Sequence, residues 1–182
     1  MGALVEEFAH PTFLSFPVIA ARLLFAALMG ALIGFEREWR ARPAGLRTHI
    51  LICVAAATFG ILTVEISHST AFAGRDVQVD PARAVEAVTA GVAFLAAGSI
   101  LFTRGAVQGL TTGAGMWLAG AVGLSSGFGL WQIAGLGTVL ILVVMGLLHT
   151  LEVKLGIGTN GKGNAGKSDR GDAGKDDSDG RC

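Results

Sequence analysis

Three charged side chains that could carry chemistry lie within long apolar segments of this sequence. They are Arg22, Glu65 and Glu86. A charge inside a membrane span is costly and usually faces the interior of a helix bundle or water. One cation and two carboxylates at one end of a bundle could form a cation-sensitive pair or a proton site. The structural alternative is that Arg22 reaches out to the interface and the two glutamates lie among lipid headgroups.

A second candidate is the most charge-dense stretch between apolar segments, residues 34–48. It holds four arginines and two glutamates. Pro43 and Gly45 shape a turn there, and Thr48 is placed to cap the helix that follows. Membrane orientation alone would account for the arginines, but the two glutamates are not needed for it. The stretch therefore predicts a binding surface for an anionic ligand or an acidic partner helix.

Arginine suits such a surface because its guanidinium group donates two parallel N–H bonds to a carboxylate or phosphate. We predict that Arg42 and Arg47 supply these donors. Glu36 and Arg37 would organise the end of the preceding helix. The arrangement would form a ligand site rather than a reaction centre.

No residue pattern predicts catalysis or a resident metal. The two cysteines, Cys53 and Cys182, are too few for a disulfide framework or a thiolate metal site. No histidine or cysteine pair has metal-ligand spacing, no glycine-rich loop ends in a phosphate-binding lysine, and no nucleophile has a base nearby. We therefore expect a non-enzymatic protein without a cofactor.

The composition predicts that these residues are held by helices in a lipid bilayer. The chain has 182 residues, of which 52% are hydrophobic and 15% are charged, and its mean hydropathy is +0.59. Soluble domains carry roughly a quarter charged residues. The formal net charge of zero leaves no basic surplus for a phosphate backbone, so we expect no nucleic-acid partner.

Apolar windows at residues 17–35, 48–66, 84–102, 106–124 and 130–148 predict five membrane-spanning helices. About 20 helical residues cross a hydrocarbon core of roughly 30 Å. The third and fourth windows are separated only by residues 103–105, which predicts a tight antiparallel helical hairpin with Gly105 relieving the turn. The fourth window, rich in glycine and threonine, fits a span least well.

The positions of lysine and arginine predict the orientation. Basic residues concentrate in the loop after the first window, at Arg104 and in the C-terminal tail. The positive-inside rule places all three on the cytoplasmic side, so the N-terminus lies outside and the C-terminus inside. Glu6 and Glu7 stand where a secretory signal would be basic, so no cleaved signal peptide is expected.

The predicted fold is an all-α, polytopic membrane helix bundle over residues 17–150. A periplasmic segment, residues 1–16, precedes it, and a disordered polar cytoplasmic tail, residues 151–182, follows it. Within the first window, Ala26, Gly30 and Gly34 recur at four-residue spacing. Such a face lets another helix approach closely, either in the same bundle or in a homodimer.

Three stretches of the chain together resemble one protein family. They read GFEREWRARPAGLRTH, GVAFLAAGSIL and QGLTTGAGMWLAGAVGLSSGFG. In this order and spacing they are similar to the membrane domain of the MgtC/SapB family, over about residues 20–150. The resemblance puts the family's loop motif on residues 36–48 and its Gly-Leu-Thr-Thr motif on residues 109–112. The candidate ligand- or partner-binding residues are therefore Glu36, Arg37, Arg42, Gly45, Arg47, Thr48, Gly109, Thr111 and Thr112.

The resemblance implies a multi-pass protein of the bacterial inner membrane. Members of this family are linked to growth under magnesium limitation and, in pathogens, to survival inside host cells. The longer branch is implicated in restraining the F-type ATP synthase. That branch carries a soluble C-terminal domain where this chain has only a polar tail, so we expect a short, SapB-like member.

Two functions are open at this point. The first is a non-enzymatic membrane regulator of magnesium or stress adaptation, which binds a membrane partner or a small ligand through its cytoplasmic loops. The F-type ATP synthase is such a partner by family analogy only. The second is an ion transporter or channel component that uses Arg22, Glu65 and Glu86 in an outer vestibule.

Overall fold

The computed structural model describes residues 12–69, 80–103 and 106–155, and over these ranges the regular elements are helices and one short β-ribbon. The elements are α1 (Phe16–Trp39), α2 (Leu46–Ser67), α3 (Pro81–Ser99), β1 (Leu101–Thr103), β2 (Ala106–Gln108), α4 (Leu110–Gly127) and α5 (Trp131–Leu155). The predicted helical architecture is confirmed for these residues. The outer segment up to residue 11, the loop 70–79 and the tail after residue 155 lie outside the described residues.

Helix α4 is the centre of the packing. It contacts α1, α2 and α3, and α5 approaches it where Gly137 faces the Val122 side chain. Most of its residues are buried, many of them glycine or alanine. The window that fits a membrane span least well by composition therefore forms the helix on which the others pack, because small side chains allow close approach on several sides.

The closest approach joins α2 and α4. A Cβ atom at Gly123 would lie 2.3 Å from the backbone oxygen of Cys53, and one at Gly127 would lie 2.2 Å from that of Ala57. Both distances are too short for any side chain. The Cys53 thiol also donates a hydrogen bond to the Ala119 carbonyl oxygen, 3.2 Å away. The two backbones are thus in direct contact along two helical turns.

The small-residue face of α1 packs within the chain, on α2. A Cβ atom at Gly30 would lie 2.7 Å from the backbone oxygen of His49, and one at Gly34 would lie 2.7 Å from the Cα atom of Leu46. This face was predicted to serve either the bundle or a homodimer. The structure uses it for the contact between α1 and α2.

The third and fourth windows form two helices that pack against each other in antiparallel order, as predicted, but the predicted tight turn between them is wrong. Helix α3 ends at Ser99, and a two-stranded antiparallel ribbon follows, in which Phe102 pairs with Val107. Helix α4 begins only at Leu110, after Gly109 with φ +90°. A Cβ atom at Gly109 would lie 2.2 Å from the Ser99 carbonyl oxygen, so glycine is required there. Residues 104 and 105, including the predicted turn glycine, lie outside the described residues.

Among the described residues, two helices are long and apolar enough to cross a bilayer. They are α1, with mean hydropathy 2.2, and α2, with mean hydropathy 2.1. Five spans and their orientation stay predictions. The chain divides into two compact units, residues 1–145 and 146–182. The candidate site described next lies in the first of them.

Candidate functional site

The last turn of α1 carries Arg37 into the bundle. Only 3% of this residue is exposed. The cause is helical spacing, since Ala26, Gly30, Ile33 and Arg37 follow one another at intervals of three or four residues and share the buried face. Its terminal nitrogen Nη2 lies 3.5 Å from the position that a Cβ atom would take at Gly115 of α4. The positive-inside rule alone would place Arg37 at the membrane interface, but in the structure Arg37 is a core residue.

His49, in the first turn of α2, borders the same space. It is fully buried, and its Nδ1 atom lies 2.9 Å from the Gly45 carbonyl oxygen. A carbonyl oxygen only accepts, so Nδ1 donates, and in the neutral ring Nε2 carries the lone pair. Nε2 lies 3.5 Å from the same Cβ position at Gly115.

His49 was not among the predicted site residues. A signal for it exists in the sequence, because His49, Cys53, Ala56 and Gly60 recur at helical spacing and all are buried in α2. A polar residue in a row of small residues indicates an interior position. The sequence alone does not show that this row is buried, because its burial depends on α2 packing on both α1 and α4.

The buried nitrogens of this pair have no protein partner in the described part of the chain. They are Nε and Nη2 of Arg37 and Nε2 of His49, and the buried Oε2 atom of Glu36 shares this property. Buried polar atoms in proteins are nearly always hydrogen-bonded, because an unmade hydrogen bond in the interior costs free energy. Two of these atoms, Arg37 Nη2 and His49 Nε2, lie beside Gly115, and we take this point as the candidate ligand site.

The two glutamates of the charged loop hold its backbone in place. Glu36 forms an ion pair with Arg40 one turn later in the chain. The Glu38 carboxylate accepts a hydrogen bond of 2.8 Å from the backbone N–H of Leu46, the first residue of α2. The prediction that Thr48 caps α2 is therefore wrong: the cap comes from Glu38, eight residues before the N–H that it satisfies.

The predicted binding set divides into a surface group and an interior group. Arg42, Arg47 and Thr111 are exposed. Thr112 is 3% exposed and lies one turn before Gly115 on α4. Of the remaining residues, Gly45 precedes the first turn of α2, Thr48 is half-buried in that turn, and Gly109 precedes α4. The structure thus brings α4, which carries the predicted residues Thr111 and Thr112, beside the end of α1.

The predicted cluster of Arg22, Glu65 and Glu86 does not form ion pairs in the described ranges, where the recorded salt bridge is that of Glu36. Arg22 Nη1 donates instead to the Gly127 carbonyl oxygen, 2.7 Å away. The Glu65 carboxylate accepts from two backbone N–H groups, those of residues 13 and 14, each at 2.8 Å. Glu86 is exposed on α3. The three charged side chains therefore lie in different surroundings and do not form one cluster.

A helical bundle with two described helices long and apolar enough to cross a bilayer fits the class of helical membrane proteins. Its sequence relationships agree with the fold. The chain belongs to the MgtC family, whose model matches residues 23–154. The resemblance drawn from the three motifs is thereby confirmed.

Curated relatives match most of the bundle, and the chain spans about half to three quarters of their length. The chain is 37% identical over 134 residues to the putative magnesium transporter YhiD of Escherichia coli (strain K12), covering 74% of this chain and 62% of YhiD. It is 38% identical to protein SrpB of Synechococcus elongatus, over 74% of this chain and 76% of SrpB. It is 42% identical to protein MgtC of Brucella abortus (strain 2308), over 72% of this chain and 52% of that protein. No solved structure matches the chain significantly.

Proposed function

We propose that this protein is a non-enzymatic, multi-pass protein of the bacterial inner membrane that supports adaptation to magnesium limitation or related stress. It crosses the membrane five times, with the N-terminus outside and the charged loop between α1 and α2 in the cytoplasm. This loop binds a membrane partner or a small ligand. The F-type ATP synthase, by family analogy, and a second copy of the chain are the proposed partners.

One observation carries the proposal: the charged loop is fixed to the bundle while two of its arginines stay exposed. Glu38 ties the loop to the first N–H of α2, 2.8 Å away. Arg42 and Arg47 remain exposed on either side of the turn. A loop with a fixed backbone loses less conformational freedom on binding than a mobile loop, and its exposed guanidinium groups suit recognition of a carboxylate or phosphate.

Growth in graded magnesium tests the role. A deletion strain should grow poorly at low magnesium, and the wild-type chain should restore growth. Arg47→Ala, expressed at an equal level, should not restore it, because an exposed donor of the binding surface is lost. Arg83→Ala is the matched control, since Arg83 is an exposed arginine at the start of α3. Full rescue by Arg47→Ala would contradict the proposal.

Thiol labelling tests the orientation. Cys53 is fully buried, so a membrane-impermeant maleimide should report on Cys182 alone. We expect no labelling in intact spheroplasts and strong labelling after permeabilisation. In a Cys182→Ser background, Ser67→Cys at the exposed end of α2 should label in intact spheroplasts. Labelling of Cys182 from outside would overturn the proposed topology.

Ion transport is the second candidate, and the name of the relative YhiD, a putative magnesium transporter, favours it. The charged residues that would line an outer vestibule have separate partners: Arg22 binds the Gly127 carbonyl oxygen, and Glu65 binds backbone N–H groups. A magnesium ion prefers several oxygen ligands at one point. The regulatory proposal therefore has the stronger structural support.

A further inference from the structure

The unpartnered nitrogens of Arg37 and His49 beside Gly115 indicate which kind of ligand could bind there. We propose that Arg37 and His49 bind a small oxyanion that retains a proton at neutral pH, of which inorganic phosphate is the simplest example. This inference rests on the proposed function, because it names a ligand for the end of the bundle that carries the charged loop.

Arg37 supplies the charge and the geometry. Its unpartnered atoms, Nε and Nη2, are the two nitrogens on one edge of the guanidinium group. Their N–H bonds run parallel and match two oxygen atoms of a phosphate or carboxylate. A buried cation without a hydrogen-bonded partner is strongly disfavoured, so an anion at this edge would remove a large desolvation cost. The positive charge repels a metal cation.

His49 adds selectivity for a protonated ligand. Its Nδ1–H is engaged by the Gly45 carbonyl oxygen at 2.9 Å, so the neutral ring presents an acceptor at Nε2. A fully ionised oxyanion offers only lone pairs to that acceptor. Phosphate keeps a P–OH group at neutral pH and can donate to Nε2, whereas sulfate has no proton to donate.

The gap beside α4, where Gly115 carries no side chain, is about the size of one methyl group, so a ligand enters only if a neighbouring side chain moves. The Cβ position at Gly115 is 3.5 Å from both nitrogens and 3.2 Å from the terminal methyl group of Met145 on α5. Methionine is unbranched and adapts its shape easily. Met145 is therefore the wall that moves to admit a ligand, while Arg37 and His49 are held by the backbones of α1 and α2.

The same chemistry has two sources, free phosphate at neutral pH and the phosphomonoester headgroup of phosphatidic acid at about pH 6, where its second proton leaves and part of the headgroups still carry it. Calorimetry of the full chain in phosphatidylcholine nanodiscs at neutral pH, titrated with inorganic phosphate, tests the first. Capture of phosphatidic acid from mixed nanodiscs at about pH 6 tests the second. We expect saturable binding in one of these arms and at least about tenfold weaker binding of sulfate than of free phosphate.

Gly115→Ala is the decisive variant. The added methyl group would occupy the ligand space, 3.5 Å from the two nitrogens and 3.2 Å from the terminal methyl group of Met145. Because the Met145 side chain is flexible and can shift by a few tenths of an ångström, the bundle should still fold. We expect at least about tenfold weaker binding of whichever phosphate source the wild type binds. Gly135→Ala is the matched control, since a Cβ atom there has nothing within 4 Å. It should bind like the wild type.

The outcomes separate cleanly. Binding of free phosphate that Gly115→Ala weakens supports the proposal with a soluble ligand, and capture of phosphatidic acid that the same variant weakens supports it with a headgroup. Absence of both, or equal binding by the variant, would overturn it, and equal affinity for sulfate would overturn the assignment of a protonated ligand. Binding is measured on purified protein, so a negative result here leaves the growth test of the charged loop standing, and the reverse also holds.

Discussion

Gly123→Ala is expected to prevent the bundle from assembling in its native form. The new Cβ atom would lie 2.3 Å from the oxygen, 2.7 Å from the Cα atom and 2.8 Å from the carbonyl carbon of Cys53. All three are backbone atoms, so no side-chain rotation can relieve the overlap, and α2 and α4 would have to separate. Overpacking of this kind costs about 1–3 kcal/mol where side chains can adjust, and we expect a larger loss here.

Thermal unfolding in detergent, followed by tryptophan fluorescence, measures this loss. Gly135→Ala is again the control, because open space surrounds that glycine. It should leave the midpoint unchanged or raise it slightly, since alanine in a helix interior is favoured over glycine by roughly 1 kcal/mol. A wild-type midpoint for Gly123→Ala would show that α2 and α4 do not touch along their backbones.

Arg37→Met is expected to stabilise the protein and abolish its function. Methionine has a similar length and no charge, so the desolvation cost of the unpartnered guanidinium disappears. Replacing a buried charge with a packed apolar side chain commonly gains about 1–4 kcal/mol. The same variant lacks the donors of the proposed anion site and should fail to restore growth at low magnesium.

Two measurements on one variant make this prediction sharp. The unfolding midpoint in phosphate-free detergent should rise for Arg37→Met and stay within error for Arg83→Met, because exposed substitutions usually change stability by less than about 0.5 kcal/mol. Adding phosphate should raise the midpoint of the wild type only, since a ligand stabilises the state that binds it. A lower midpoint for Arg37→Met would show that the guanidinium has a structural role.

Sequence reasoning located the helices better than it located the site. Apolar runs and three family motifs predicted the helical segments and the charged loop, because both depend on local composition. Which arginine is buried depends on helix rotation, and Arg37 shares a face with Ala26 and Ile33 while Arg42 lies beyond the helix. His49 was missed because its importance comes from α4, which is distant in sequence.

The short ribbon shows a different limit. Residues 101–108 are apolar enough to extend two helical windows, and periodicity does not distinguish a buried helix end from a short strand. Gly109 lies between β2 and α4, has φ +90° and contacts the Ser99 carbonyl oxygen. This backbone conformation ends the ribbon and begins the helix. Glu38 likewise caps α2 across a turn, a contact that no local cap motif predicts.

The position of α4 between the two arginines links two ends of the bundle. At one end its Gly115 lies beside Arg37, and at the other its Gly127 carbonyl oxygen accepts a hydrogen bond from Arg22. The two glycines are about 18 Å apart along one helix, at 1.5 Å per residue. Because α4 is one continuous helix, any displacement of its backbone at Gly115 would also change the contact with Arg22. Occupancy at one end of the bundle would thereby be transmitted mechanically to the other end.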